Sequence, residues 1–309
     1  PENVWIKLID TPECPERALY ERIEHYISHF YKKYEQKRKG LGFVMTVYRK
    51  RLTSSFYALE ESLKRRLEFL RGRITASEVL EDEDLDVEEL DLDLDEDLDM
   101  EGLESEIEYV EGFLRDLSML PQDSKLDVLL SQIDDFLSRR ESLLVFTQYT
   151  DTMDFLREKL RLKFGSRVAC YSGRGGERWT GSQWQIVSKE SIKNLFREGQ
   201  ELSILLCTES ASEGLNLQTC GVLINYDMPW NPMRVEQRIG RIDRIGQRYE
   251  TVWVRNYFFE DTVEARVYQK LDERIASFTN VVGRLQPILH DVASVIRDAS
   301  MAVDEEREK

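Results

Sequence analysis

The chain has 309 residues, of which 41% are hydrophobic, so it can bury one large core or two smaller ones. No apolar run approaches the roughly 18 residues that a membrane-spanning helix needs, which argues against a membrane protein. The formal net charge is −16, which at first argues against nucleic-acid binding as well.

The negative charge is concentrated in one segment. From Glu81 to Glu111 the chain has eighteen acidic residues and no Lys or Arg, and without them its formal charge is +2. Like charges at this density repel one another and oppose compact structure. We therefore predict that residues 73–120 form an acidic insert, a disordered or loosely helical loop. Its two interpretations are a solvated spacer, which is favoured, and a nucleic-acid mimic that regulates access.

Residues 1–72 are predicted to be mainly helical. The sequence VWIKLI is typical of a short strand, and a helical pattern then runs from Glu16 to about Lys39. A second long helix is predicted from Phe43 to Leu70. His25 and His29 are four residues apart, a spacing that can bind a metal, but no third ligand is evident. A pair of histidines on a helix surface is the favoured interpretation.

From residue 121, apolar strands alternate with amphipathic helices. The strands are continuously apolar, and their sequences are SLLVFTQ, SRVACYSG, LSILLCTES, GVLINYD and TVWVRNYFF. Such strands are typical of a parallel sheet buried on both faces. We predict that residues 121–260 form a doubly wound α/β domain and that residues 261–309 form a C-terminal helical extension.

The loops after these strands contain small hydroxyl residues and glycines. In open parallel sheets, ligands gather at the carboxyl ends of the strands. Small residues there let backbone N–H groups approach phosphates, which holds a nucleic-acid backbone without reading its bases. The candidate phosphate-contacting residues are Thr147, Gln148, Ser172, Gly173, Thr208 and Ser210. Trp179 and Trp184 flank a glycine-rich stretch, where they could stack on bases or anchor a loop.

Two arginines stand out in the segment PMRVEQRIGRIDR, which is predicted to be a helix. Arg241 and Arg244 are three residues apart and would share one helical face. A planar guanidinium can bridge phosphate oxygens and neutralise charge on a transferred phosphoryl group. A solvated basic helix is the alternative interpretation.

The surrounding pattern, Q-x-x-x-R-x-x-R-x-G-Q, resembles motif VI of the Swi/Snf-type group of superfamily 2 helicase-like ATPases. Its fixed positions are filled by Gln237, Arg241, Arg244, Gly246 and Gln247. The sequences SEGLNLQ at 212–218 and LLVFTQY at 143–149 resemble motifs V and IV, in the same order. The passage from DMPWNP to QRIGRIDRIGQ at 227–247 is similar to bacterial RapA-like members. The chain differs from the chromatin-remodeler pattern at Glu209, Gly240 and Asp243, so the type of substrate stays open.

The resemblance implies a RecA-like fold, the second (C-terminal) lobe of a helicase-like motor, preceded by a helical interlobe region. The resemblance further implies that Arg241 and Arg244 contact the γ-phosphate of ATP. The ATP binds with Mg²⁺ mainly to the first lobe of the same polypeptide. Glu213, Gly214 and Gln237 line the nucleotide or couple it to nucleic acid. The implied partner is duplex DNA, and the implied location is the cytoplasm, in association with the nucleoid.

The sequence contains neither a G-x-x-x-x-G-K-[ST] loop nor a D-E-x-H motif. Because these residues cradle phosphate and hold Mg²⁺, we expect the chain by itself to be inactive. Two alternatives remain open. One is a module without catalysis that binds nucleic acid or protein, and the other is an ATPase that acts on RNA or RNA polymerase. No metal site and no membrane partner are predicted.

Overall fold

An eight-stranded sheet lies at the centre of the computed structural model, which describes residues 1–37, 43–73, 103–139, 142–198, 202–209, 217, 219–229, 232–243, 246–266 and 268–269. The strands are β1 Glu2–Ile6, β2 Leu143–Thr147, β3 Val168–Ser172, β4 Gly175–Trp179, β5 Trp184–Val187, β6 Ile204–Thr208, β7 Val222–Asn225 and β8 Trp253–Phe259. Their order is β1-β8-β7-β2-β6-β3-β4-β5. All neighbours are parallel except β3–β4 and β4–β5.

Helices cover both faces of the sheet. They are α1 Glu16–Lys37, α2 Phe43–Ser54, α3 Phe56–Leu70, α4 Leu103–Ser118, α5 Ser124–Ser138, α6 Thr150–Phe164, α7 Lys189–Glu198 and α8 Pro232–Ile239. Within β2, Leu143 and Val145 pack on the face that carries α5, α6 and the N-terminal helices. Leu144 and Phe146 pack on the opposite face, with α7. Alternate residues of one strand therefore enter two cores, which confirms the predicted doubly wound parallel sheet.

The first strand belongs to this sheet and not to a separate helical region. Strand β1 pairs in parallel with β8 from Glu2 opposite Arg255 to Ile6 opposite Phe259. The ring of Trp5 stacks on that of Phe258 with 5.1 Å between centroids. Sequence spacing alone did not indicate this pairing, because about 250 residues separate the two strands.

The single helix predicted over Phe43–Leu70 is in fact two helices. Ser55 interrupts it with an extended backbone, at φ −158° and ψ 151°, and its hydroxyl accepts a hydrogen bond from the N–H of Ala58. This bond satisfies one of the unpaired N–H groups at the start of α3. The break points the neighbouring Ser54 into the interior of the molecule, where its side chain is fully buried.

The prediction that residues 73–120 form a disordered or loosely helical loop is wrong for Leu103–Ser118, which form the packed helix α4. Val110, Phe113 and Leu117 recur at helical spacing and are buried against the N-terminal helices. The buried carboxylate of Glu106 accepts hydrogen bonds from Arg66 and Tyr26. The apolar periodicity of this part outweighs its acidity. Residues 74–102 lie outside the described residues.

The glycine-rich stretch after β3 forms a hairpin, β4–β5, that extends the sheet. Gly176 must be glycine, because a Cβ there would lie 2.6 Å from Ile192 Cδ1 and 2.7 Å from the carbonyl oxygen of Val187. Both hairpin tryptophans contact arginines of α6. Arg161 lies over the Trp179 ring, and Arg157 lies over the Trp184 ring. The contacts of both rings with the protein fit the loop-anchoring interpretation of these tryptophans.

Within the described residues, no helix is both long and apolar enough to cross a membrane. All four cysteines are free and buried. Of the predicted C-terminal extension, the structure describes a helical start at Val263 and residues up to 269, apart from position 267.

Candidate functional site

The carboxyl ends of β7, β2, β6 and β3 lie side by side at one edge of the sheet. Thr147 at the end of β2 is paired in register with Thr208 at the end of β6. Tyr171, which precedes Ser172 on β3, is paired with Cys207. These four carboxyl ends form what we call the strand-end edge. It brings together five of the six candidate phosphate-contacting residues, and the sixth, Ser210, lies outside the described residues.

The hydroxyl of Thr147 faces inward and not toward a ligand. It is fully buried and donates a hydrogen bond of 2.5 Å to Asp227 Oδ2. The main-chain N–H of Gln148 donates to Asp227 Oδ1 at 2.8 Å, and its side-chain amide donates to the carbonyl oxygen of Met228 at 2.9 Å. Thr147 and half-buried Gln148 thus join the end of β2 to the segment after β7.

The other strand-end residues differ in exposure. Ser172 is buried and its hydroxyl accepts from the N–H of Arg174, while Thr208 is buried as well. Gly173 is exposed at the turn between β3 and β4. Among the described residues, the accessible groups at this edge include Gly173, half-buried Gln148 and the exposed side chain of Arg174, which pairs with Asp154.

A buried arginine, Arg238, joins α8 to the strand ends. Its guanidinium donates two hydrogen bonds of 3.0 Å to the carboxylate of Glu209, directly after β6. The same group donates to Asn225 Oδ1 and to the carbonyl oxygen of Asp227. It is 1% exposed and lies over the ring of Phe146. Sequence reasoning missed Arg238, although it stands inside the Q-x-x-x-R pattern, three residues before Arg241.

Arg241 follows the end of α8, on hydrogen-bonded turns that continue to Asp243. The predicted helix is therefore shorter than expected, because α8 ends at Ile239. The N–H of Arg241 donates to the carbonyl oxygen of Arg238, and its own carbonyl accepts from the N–H of Leu217. Its side chain is half-buried, and its Nε is buried with no hydrogen-bond partner. Such a group is costly unless another acceptor approaches it.

The remaining residues of the motif serve different purposes. Gln247 is a structural link, because its amide donates to the carbonyl oxygens of Cys220 and Ile242 and its oxygen accepts from the N–H of Tyr249. Gln237 is exposed on α8. Besides Ser210, three candidate residues lie outside the described residues, namely Glu213, Gly214 and Arg244.

The N-terminal helices contact the start of α6, next to the strand-end edge. Asp151 in the first turn of α6 accepts from Arg51 at 2.5 Å and from Arg65 at 2.8 Å. Burial raises the pKa of Asp151, but the two guanidinium groups outweigh burial and hold that pKa below its ordinary value. Arg51 is fully buried and lies 4.7 Å from the ring centre of Tyr149. Arg51 therefore joins the N-terminal helices to the start of α6.

The histidine pair on α1 is not part of this edge. His25 is exposed, and the ring of His29 meets that of Phe30 edge-on. In the part of the chain that the structure describes, no group of three or more His, Cys, Asp or Glu side chains could hold a metal ion.

Comparisons with known proteins find relatives of the α/β part of the chain. Residues 124–246 match the family model of the helicase conserved C-terminal domain. An uncharacterized ATP-dependent helicase, YqhH of Bacillus subtilis (strain 168), is 39% identical over 176 residues, which are 56% of this chain and 28% of that protein. The RNA polymerase-associated protein RapA of Vibrio campbellii (strain ATCC BAA-1116) is 29% identical over 157 residues, which are 50% of this chain and 15% of that protein. The chain therefore spans well under a third of the length of these relatives.

Two solved structures share the fold. The C-terminal part of the Fun30 ATPase domain aligns over 99% of this chain and 96% of its own length, with a TM-score of 0.52 and 16% identity. A Sulfolobus solfataricus SWI2/SNF2 ATPase core in complex with dsDNA aligns over 99% of this chain and 48% of its own length, with a TM-score of 0.54 and 16% identity. At this identity the two likenesses establish the RecA-like fold alone. Together with the sequence matches, they show that the chain carries a helicase conserved C-terminal domain at residues 124–246 and is similar to the helicase YqhH, to RapA and to SWI2/SNF2 ATPase cores.

Proposed function

We propose that the chain is the C-terminal motor lobe of an ATPase that moves along duplex DNA, and that Arg241 and Arg244 complete an ATP site on a first RecA-like lobe of the same polypeptide. The observation that carries the proposal is the buried, unpartnered Nε of Arg241, on the turn that follows α8. A guanidinium with a spare donor suits the charged oxygens of a transferred phosphoryl group.

The proposal assigns ATP and Mg²⁺ mainly to the first lobe, because this sequence has no phosphate-cradling loop of the G-x-x-x-x-G-K-[ST] type. Bound ATP would transfer its γ-phosphoryl group to water, and this reaction would supply the free energy for movement. On this chain, the turn after α8 that carries Arg241, the arginine turn, would neutralise charge that develops on the γ-phosphate. Glu213, Gly214 and Gln237 would line the nucleotide or couple it to DNA.

The strand-end edge would hold the DNA backbone. Gly173 is exposed there and Gln148 is half-buried, so they would meet phosphates directly. Thr147, Ser172 and Thr208 are buried, so they would act by shaping the loops around that contact. Ser210 would extend the edge after β6. The Sulfolobus SWI2/SNF2 core in complex with dsDNA supports duplex DNA as the partner.

The test uses the longer polypeptide that joins this chain to its ATP-binding lobe. Arg241→Ala is expected to lower the DNA-stimulated rate of ATP hydrolysis by about 10³-fold, the lower end of what an arginine finger contributes. DNA affinity should stay within a few-fold of the wild type, as measured by fluorescence anisotropy of a labelled duplex. Arg244→Ala is expected to behave in the same way.

Arg248→Ala is the matched control, because Arg248 is an exposed arginine four residues beyond Arg244. It should leave both the rate and the affinity unchanged. Loss of DNA binding in Arg241→Ala with a normal maximal ATPase rate would instead assign the arginine to the DNA backbone. An ATPase that duplex DNA does not stimulate would contradict the proposed function.

A second candidate is supported by the RapA relatives, whose name states an association with RNA polymerase. In this version, the same ATPase acts on RNA polymerase or RNA, in the cytoplasm. Comparing ATP turnover in the presence of duplex DNA, RNA and RNA polymerase would decide between the candidates. Strong stimulation by duplex DNA alone favours the first.

A further inference from the structure

Asp227 receives donors from two separate parts of the fold. Besides Thr147 and the N–H of Gln148 from the end of β2, the hydroxyl of Ser54 donates to its Oδ2 at 2.5 Å. Ser54 is the last residue of α2, and 173 positions separate it from Asp227. Asp227 is 1% exposed and Ser54 is fully buried, so water does not replace this bond when it is lost.

The surroundings of Ser54 fix its hydroxyl in place. The Thr152 hydroxyl, in the first turn of α6, lies 2.7 Å from that of Ser54 and 2.9 Å from that of Ser55. The ammonium group of Lys125, at the start of α5, donates to the main-chain carbonyl of Thr53 at 2.6 Å. The junction between α2 and α3 is thus held by α5, by α6 and by Asp227.

The same aspartate leads to the arginine turn. Its main-chain carbonyl accepts from the guanidinium of Arg238 at 2.9 Å, and the carbonyl of Arg238 accepts from the N–H of Arg241. The path from Ser54 to Arg241 therefore consists of Asp227 and Arg238, with each contact buried or half-buried. A small displacement of Asp227 would pass to both the end of β2 and the turn that carries Arg241.

We propose that Ser54 is a positioning residue, whose hydrogen bond to Asp227 aligns the strand-end edge with Arg241 from the N-terminal helices. Ser54 meets neither ATP nor DNA in this arrangement. The inference rests on the proposed function, since it names what couples DNA contact at the edge to the arginine turn. Misplacement of a catalytic group by about 1 Å can cost on the order of 10²-fold in rate.

The test again uses the longer polypeptide with its ATP-binding lobe, and compares Ser54→Ala with Ser62→Ala. Ser62 is also fully buried, and it lies on α3, where its hydroxyl donates to the carbonyl oxygen of Ala58 within the same helix. We expect Ser54→Ala to lower the DNA-stimulated kcat for ATP by roughly tenfold or more, with the DNA concentration at half-maximal stimulation nearly unchanged. Ser62→Ala should keep the wild-type kcat. Ser54→Thr, which retains a hydroxyl, should recover most of the rate.

The thermal midpoint of each variant shows whether it is folded at the assay temperature. If Ser54→Ala does not fold, Ser54→Cys takes its place, because a thiol is a weak donor to the carboxylate and the same fall in kcat is expected. A wild-type kcat in the folded Ser54 variant, or an equal loss of kcat in Ser62→Ala, would overturn the role of Ser54 and leave the proposed function unaffected. A wild-type protein that DNA does not stimulate would overturn the proposed function, and the inference with it.

Discussion

At the scale of single residues, the guanidinium of Arg238 donates four hydrogen bonds near the candidate site. Arg238→Ala would remove two hydrogen bonds from the carboxylate of Glu209 and the hydrogen bond to the side-chain oxygen of Asn225. Removing one member of a buried ion pair costs about 3 kcal/mol or more, so we expect that loss in the free energy of unfolding. Urea denaturation of the chain measures it.

Arg234→Ala is the matched control for this prediction. Arg234 lies one helical turn earlier on α8, is 34% exposed on its side chain, and is 3.9 Å from the same carboxylate. A partly exposed pair at this distance contributes about 1 kcal/mol at most. Equal losses in the two variants would show that the buried contacts of Arg238 do not stabilise the fold.

The site was only partly predictable from sequence at this scale. Spacing singled out Arg241, because an arginine pattern is visible in one dimension. The inward orientation of Thr147 was not visible, because its partner Asp227 is 80 positions away. Ser54 was equally hidden, since nothing near it in sequence indicates an acceptor. Buried polar networks between distant segments need the fold before they can be seen.

At the scale of elements, α4 shows how composition can conceal periodicity. The acidic run sets the average character of residues 81–111, yet buried residues recur at Glu106, Val110, Phe113 and Leu117. Three of these are apolar, and the fourth pairs with Arg66. A helix whose inner face is complementary to its neighbours forms despite a strongly charged outer face.

Glu106 is expected to determine whether α4 stays docked. Its carboxylate accepts from the hydroxyl of Tyr26 at 2.8 Å and from Arg66 Nε at 2.9 Å, and all three side chains are buried. Glu106→Ala removes the buried carboxylate that pairs with the guanidinium of Arg66, at a cost of about 3 kcal/mol. Amide hydrogen exchange in α4 should then accelerate by about 100-fold, while β2 and β6 keep their protection.

Glu108→Ala tests whether this effect is specific. Glu108 is exposed on the same helix, two residues away. Its removal should leave the exchange rates of α4 within about twofold of the wild type, because exposed charges contribute little. If both substitutions loosen α4 equally, its docking depends on helix propensity or total charge rather than on the buried pair.

At the scale of the whole molecule, the doubly wound sheet followed from the continuous apolar character of its strands. The participation of β1 did not, since a five-residue strand carries no signal for a partner at the far end of the chain. The β4–β5 hairpin was hidden in the same way, because glycines at 173, 175, 176 and 181 indicate turns more strongly than strands. Local patterns therefore predicted the architecture, and long-range pairing completed it.

The free energy of unfolding of the whole chain is expected to depend on Glu264, which joins the start of the C-terminal segment to the core. Glu264 is 1% exposed and one of its oxygens has no hydrogen-bond partner. Burial is the main cause that raises the pKa of this carboxyl to about 8. The positive charge of the neighbouring Lys125 opposes this rise, and the negative charge of Asp227 adds to it. Burial in turn lowers the pKa of Lys125, and the charges of Glu264 and Asp227 oppose that shift.

An unfolded glutamate has a pKa of about 4.3. Between that pH and about 8, the folded chain retains a proton on Glu264 that the unfolded chain has released, so this group makes stability fall as pH rises across the window. Glu264→Gln removes the ionisable carboxyl. As pH rises through this window, the free energy of unfolding of the variant should therefore increase relative to that of the wild type, by up to about 1.4 kcal/mol per pH unit. Urea denaturation at pH 5, 6, 7 and 8 measures that difference. A flat difference for Glu264→Gln, or one that shifts in favour of the wild type as pH rises, would show that Glu264 is ionised in the folded chain and that Lys125 balances its charge.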